Sequence, residues 1–159
     1  MSEFTVRLLE EKDWPVYRDM RLRALQESPD AFVAVYNVEK DYDEQRWRDR
    51  MLRSDKLLAS QDAAPVGIIA VRDVSADYEG GAEIFGLWVE PALRGAGVAT
   101  ELFQAAAQHA ADSGHRQLVF WVGTDNAKGV AFASGRGFRP TADRRPMRTG
   151  PSADGEQEI

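Results

Sequence analysis

A chain of 159 residues with 43% hydrophobic and 29% charged side chains is long enough to bury the core of one domain, 1–159, and too apolar to be disordered. A net charge of -6 excludes a general nucleic-acid binder, which needs a basic surface to displace counterions, and no apolar run reaches the ~18 residues of a membrane span. The lack of cysteine excludes disulfides, thiolate metal sites and a cysteine nucleophile. With only His109 and His115 as histidines, no metal is expected. The same lack suits a cytoplasmic protein, as does a start, Met1-Ser2-Glu3-Phe4-Thr5, without the basic-then-apolar pattern of a signal peptide.

In chain order, Phe4 to Leu9 reads as a strand, with Val6 and Leu8 alternating against Thr5 and Arg7. Asp13 is placed to cap a helix and Pro15 fits its first turn. Val16, Met20, Leu22 and Leu25 share its apolar side until Ser28-Pro29 ends it. A second, charged helix spans Tyr42 to Ser54 with Trp47 and Leu52 turned inward. Strands over Lys56 to Gln61 and Val66 to Val74 follow, joined by the turn Asp62-Ala63-Ala64-Pro65. After a polar loop from Asp77 to Gly81 comes the strand Glu83 to Val89, nearly all apolar, as a strand covered on both faces should be. Gly86 inside it predicts a bulge or a close backbone approach. Gly97 to Ser113 is Ala-rich and helical and stops at Gly114; Gln117 to Val122 is a strand, Asn126 to Arg136 a short helix, and Phe138 opens another strand. Hairpins first and crossovers second predict an α+β fold, a mixed, mostly antiparallel sheet with helices on both faces.

The chemistry concentrates in Leu87-Trp88-Val89-Glu90-Pro91-Ala92-Leu93-Arg94-Gly95-Ala96-Gly97-Val98-Ala99-Thr100, where a buried strand ends, turns, and an Arg-Gly-x-Gly opens a long helix. A helix N-terminus offers unpaired amides and the positive end of the macrodipole, which suits a pyrophosphate. Gly95 and Gly97 let the backbone wrap phosphate oxygens, and Arg94 adds a guanidinium for paired hydrogen bonds. A dinucleotide fingerprint would want a third glycine where Thr100 stands, and no Walker A sequence exists.

This stretch resembles the acyl-CoA signature of the GNAT (GCN5-related N-acetyltransferase) superfamily, with Arg94, Gly97 and Ala99 at its fixed positions and Leu87 to Pro91 as its hydrophobic-x-Val-x-Pro lead-in. Asn126 and the run from Phe132 to Phe138 resemble the second motif of the family, and Leu25 to Phe32 a variant of its bacterial members. The resemblance implies a sheet of six to seven strands with about four helices, its bulged fourth strand splayed from the fifth to admit pantetheine. Leu87, Trp88 and Val89 would then pair with the pantetheine amides, with the Val89 N–H polarising the thioester carbonyl, while the amides of Gly95, Ala96, Gly97, Val98, Ala99 and Thr100 hold the pyrophosphate. Asn126 either contacts the pantetheine arm or caps the short helix. The donor so implied is acetyl-CoA, and the acceptor a primary amine on a small molecule or a peptide, attacking directly in a ternary complex; a homodimer is compatible with the family.

Amines are mostly protonated at neutral pH, so transfer needs a base. Glu83, in Ala82-Glu83-Ile84, resembles the glutamate base of some family members, and apolar surroundings would tune it for that role; by position alone it is equally a strand-end glutamate facing water. The acid is open. The tyrosine usual in the second motif is replaced by Ala133, leaving Ser134, a water, or Tyr36 from the loop after the first helix to protonate the thiolate. Phe32 and Tyr36 are assigned to the acceptor side, and Arg139, Arg144, Arg145 and Arg148 form either a solvated loop or a basic lip. The closing strand is expected to be a stub or cut short. A non-catalytic acyl-CoA-binding or regulatory domain is the alternative reading, motivated by Ala133.

Overall fold

The computed structural model describes residues 4–27 and 33–121, together with 131, 135, 145–146 and 157–158. Its elements are β1 (Thr5–Leu8), a 3-10 turn (Glu11–Asp13), α1 (Trp14–Glu27), α2 (Val33–Glu39), α3 (Glu44–Arg53), β2 (Asp55–Gln61) and β3 (Ala64–Asp73). There follow β4 (Gly81–Val89), a second 3-10 turn (Pro91–Leu93), α4 (Val98–Asp112), β5 (Gln117–Phe120), β6 (Arg145–Pro146) and β7 (Gln157–Glu158). The backbone falls into two compact units, Met1–Ala24 with Tyr42–Val119, and Leu25–Asp41 with Phe120–Ile159.

The first unit is built on a sheet in the order β1-β2-β3-β4-β5, antiparallel from β1 through β4. One face carries Leu58 and Ile68, which join Leu9, Met20 of α1 and Met51 of α3 in a buried cluster, with Trp14, Tyr17 and Trp88 against it. The other face receives α4, whose buried Val98, Leu102, Ala106 and Ala110 recur every four residues, the spacing that aligns side chains on one helical stripe. Gly67 is where α4 meets β3 most tightly. A Cβ there would stand 2.9 Å from Leu102 Cδ1 and 3.1 Å from the Trp88 carbonyl oxygen. α4 ends as expected at Gly114, whose φ of 92° lets the His115 N–H turn back to the Ala110 carbonyl at 3.0 Å.

Several local expectations are corrected. Asp13 does not cap α1; its Oδ2 accepts the Glu10 N–H at 2.8 Å and closes the 3-10 turn leading into that helix. In α3, Trp47 is buried but Leu52 is 69% exposed, and Met51 takes the inward place, because four residues and not five bring a side chain back to the same face. The turn between β2 and β3 is two residues long. Gln61 pairs with Ala64 across Asp62-Ala63, and Pro65 lies inside β3 opposite Ser60, next to a bulge at Val66. Such a tight hairpin needs two left-handed residues, and Asp62 and Ala63 have φ of 51° and 68°. Ala63 therefore carries strain that glycine would not. Ala63→Gly is expected to stabilise the protein by about 1 kcal/mol, seen as a rise of ~2–4 °C in Tm by calorimetry. An unchanged or lower Tm would contradict this.

Lys56 of β2 is 3% exposed and lies on the face that carries α1 and α3. Its Nζ donates to the Ser54 carbonyl at 3.1 Å, to Ser54 Oγ at 2.7 Å and to the Arg50 carbonyl, closing the end of α3, and stands 5.0 Å from the Tyr17 ring centre. Burial, helped by the Arg50 charge, pushes its pKa down from 10.5 to about 8. Between those values the unfolded chain binds the proton that the folded chain has released, so stability rises with pH. The gain from this residue is at most about 3 kcal/mol, since the three oxygen partners favour the ammonium. Urea midpoints measured at about pH 7.5 and about pH 10 should show the rise in the native protein and a flatter profile in Lys56→Met.

In the second unit α2 is a helix where the sequence suggested a loop, and it carries Tyr36. Gln26 Nε2 donates to Tyr36 Oη at 3.1 Å, and Lys40 Nζ stands 5.9 Å from the Tyr36 ring centre. β6 and β7 pair with each other as a separate antiparallel ladder, so the central sheet has five strands among the described residues rather than six to seven. The strand expected from Phe138 lies outside the described residues, as does most of the helix expected over Asn126 to Arg136.

Candidate active site

β4 carries the bulge that Gly86 announced. Ile68 pairs with Trp88 and Ala70 with Phe85, so two residues of β4, Gly86 and Leu87, stand opposite the single Ile69 of β3, with Gly86 at a φ of 66°. Beyond the bulge, Val89 lies opposite Gly67 while the Glu90 N–H donates to the Val66 carbonyl at 2.8 Å. That bond marks Val89 and Gly67 as a non-hydrogen-bonded pair, so the N–H and C=O of Val89 face away from β3, toward the β5 side of the strand.

The chain then turns through Pro91–Leu93 and reaches α4 by way of Arg94-Gly95-Ala96-Gly97. Gly95 and Gly97 have φ of 86° and 95°, and a Cβ on either would meet nothing among the described residues within 4 Å. Both glycines are thus required by conformation and leave open space above the backbone. The first α4 bond runs from the Glu101 N–H to the Gly97 carbonyl at 3.1 Å. The amides of Val98, Ala99 and Thr100 precede it, at the positive end of a 15-residue helix. Ala96 departs from expectation, because its N–H donates within the turn to the Leu93 carbonyl at 3.1 Å, as the Arg94 N–H does to Pro91 at 3.3 Å. The Arg94 Nε donates to the Val89 carbonyl at 3.1 Å, so the guanidinium stitches the turn to the end of β4.

Two arginines that no sequence pattern singled out hold this strand. Arg23 of α1 forms an ion pair with Glu90 and stacks 5.4 Å from the Trp88 ring centre, gripping the residues on either side of Val89. Arg72 of β3 stands opposite Glu83, giving Nε at 2.9 Å and Nη2 at 2.6 Å to Glu83 Oε1, and lies 5.2 Å from the Phe85 ring centre. The Glu83 side chain is only 3% exposed. It therefore neither faces water nor sits among purely apolar groups; its surroundings are ionic. Neither arginine was legible in the chain because each acts across elements, through a register that spacing alone does not give.

Ser134, Asn126 and Phe32 lie outside the described residues. Both histidines have local roles. His109 Nε2 bonds Asp55 Oδ2 at 2.8 Å, and His115 reaches the Ala110 carbonyl at 3.3 Å and Asp73 Oδ1 at 3.5 Å. The Ser75 hydroxyl and amide, and then His115, hold the Asp73 carboxyl below its ordinary pKa. Among the described residues no helix is long and apolar enough to cross a membrane, and no cluster of three metal-ligating side chains occurs.

The acetyltransferase (GNAT) family profile matches residues 16–138. No curated protein sequence matches the chain. Solved structures match throughout. The aminoglycoside N-acetyltransferase AAC(6')-Iy in complex with CoA is 17% identical, with a TM-score of 0.70 over 93% of this chain and 95% of that one. The ribosomal-protein-alanine N-acetyltransferase from Brucella melitensis is 16% identical, with a TM-score of 0.70 over 97% and 95%. A predicted acetyltransferase with acetyl-CoA from Clostridium acetobutylicum is 16% identical, with a TM-score of 0.67 over 92% and 96%. With the profile spanning most of its length, the chain belongs to the GNAT family and is an acyl-CoA-dependent N-acetyltransferase.

Proposed function

We propose that the chain transfers an acetyl group from acetyl-CoA to a primary amine by direct attack within a ternary complex. The observation that carries this reading is the continuous path from the Gly86 bulge, past the outward-facing Val89 N–H, to the open glycine turn before α4. In this reading Leu87 and Val89 pair with the pantetheine arm while the Trp88 backbone is turned to its partner Ile68 in β3, Val89 N–H polarises the thioester carbonyl, and Asn126 contacts the same arm. The pyrophosphate rests on the turn at Gly95 and Gly97 and on the amides of Val98, Ala99 and Thr100, with the Nη groups of Arg94 beside it.

The amine nitrogen attacks the acetyl carbon, the carbon–sulfur bond breaks, and the CoA thiolate leaves. Glu83 accepts the proton that the amine loses, directly or through a water. Ser134, Tyr36 or a water returns a proton to sulfur; a thiolate is a good leaving group, so the substitution of Ala133 for tyrosine slows this step without closing it. Phe32 and Tyr36 line the acceptor side. Acceptors of both kinds named among the structural neighbours, an aminoglycoside and a protein alanine, fit a primary amine on a small molecule or a peptide. The reading places the enzyme in the cytoplasm, and a homodimer is compatible with it.

Thiol release from acetyl-CoA, followed across aminoglycosides, polyamines, amino acids and peptide N-termini, tests this reading. Release with an amine supports it; acetyl-CoA binding without release across the panel would contradict it.

A further inference from the structure

We propose that Arg72 is the positioning residue for the Glu83 base, fixing its carboxylate on the face of β4 opposite α4. The inference rests on the reading of Glu83 as the base and adds a residue to it. The geometry is specific. Arg72 and Glu83 are direct cross-strand partners, and two guanidinium nitrogens converge on one oxygen, Oε1, at 2.9 and 2.6 Å. The guanidinium plane rests near Phe85, two residues along the same face of β4, so Arg72 is itself held from below. Lys56, the cation on that face in β2, gives its ammonium to Ser54 and Arg50 oxygens, and its neighbour Arg50 comes from α3. Arg116, at the start of β5, is turned to Glu79. Arg72, in contrast, gives two hydrogen bonds to Glu83 itself.

An ion pair buried at its carboxylate end, with Glu83 3% and Arg72 30% exposed, contributes little stability by itself, because desolvating the carboxylate offsets much of the attraction. A carboxylate that must exchange protons, in contrast, needs a fixed direction and a defined charge beside it. Arg72 supplies both by occupying one oxygen.

The test compares steady-state kinetics and pH–rate profiles of the native enzyme, Arg72→Met, Arg72→Lys and Glu83→Gln, with acetyl-CoA and an acceptor that releases thiol. In Arg72→Met we expect kcat to fall by about 10-fold or more, with KM for acetyl-CoA within about two-fold, and the acid limb of the profile to move to higher pH. The sign follows from removing a positive charge beside a carboxylate, which makes protonation easier. Arg72→Lys, which keeps the charge without the fork, should restore the limb toward its native position and recover only part of kcat. It also serves if Arg72→Met fails to fold. Should Glu83→Gln abolish the limb while both Arg72 variants keep native kcat and limb, the positioning role is overturned and the base survives. If Glu83→Gln itself leaves the profile unaltered, the base reading falls, and the role of Arg72 falls with it.

Discussion

Gly97→Trp is expected to lower the affinity for acetyl-CoA by more than about 100-fold, or roughly 2.7 kcal/mol, while the protein stays folded. The two halves of this expectation have separate causes. A Cβ at Gly97 meets nothing among the described residues within 4 Å, so the side chain starts away from the packing of α4 on the sheet. Gly97 directly precedes the first amides of α4, where the proposed function places the pyrophosphate, and the indole would compete for that position. The φ of 95° adds strain of about 1–2 kcal/mol for any L side chain, a loss of several degrees in Tm that leaves folding intact. Gly97→Ala separates the effects, since it carries the strain and little of the bulk. Calorimetric affinities and melting curves for the two variants check the expectation. Equal affinity in Gly97→Trp and the native chain would remove this turn from the cofactor site.

Glu83→Gln is expected to cut kcat by about 10²–10⁴-fold with acetyl-CoA affinity unchanged, because the amide keeps the shape of the side chain and loses its capacity to accept a proton. The change also leaves the part-buried Arg72 facing a neutral partner, which lowers stability, so kinetics must be read below the variant's own melting temperature. The contrast with Gly97→Trp is the useful part. One change strikes turnover with binding intact, the other binding itself. Native turnover in Glu83→Gln would move the base elsewhere.

The cofactor side of the fold was legible because its signals are local. Gly86 inside an apolar run marked the bulge, and an Arg-Gly-x-Gly before an Ala-rich stretch marked both the turn and the start of α4. Backbone conformation at these positions is dictated by the residues themselves. The hairpin at Asp62-Ala63 was misplaced by two residues because neither is a glycine, and the tight turn is enforced by the pairing of β2 with β3 instead. α2 was missed as a helix for a related reason: seven residues, Val33–Glu39, give too few turns for periodicity to show. The charged partners escaped entirely. Arg72 looks like any strand arginine until the register sets it against Glu83, and Arg23 like any helical arginine until α1 packs beside β4. Amino-acid order specifies such pairs only through the tertiary structure.

The central claim is that the bulged strand and the glycine turn before α4 hold acyl-CoA, and calorimetric titration of the native protein with acetyl-CoA tests it most directly. Micromolar, one-to-one binding that is lost in Gly97→Trp is the predicted result. An absence of binding to the native chain would contradict it and leave the turn with a structural role alone.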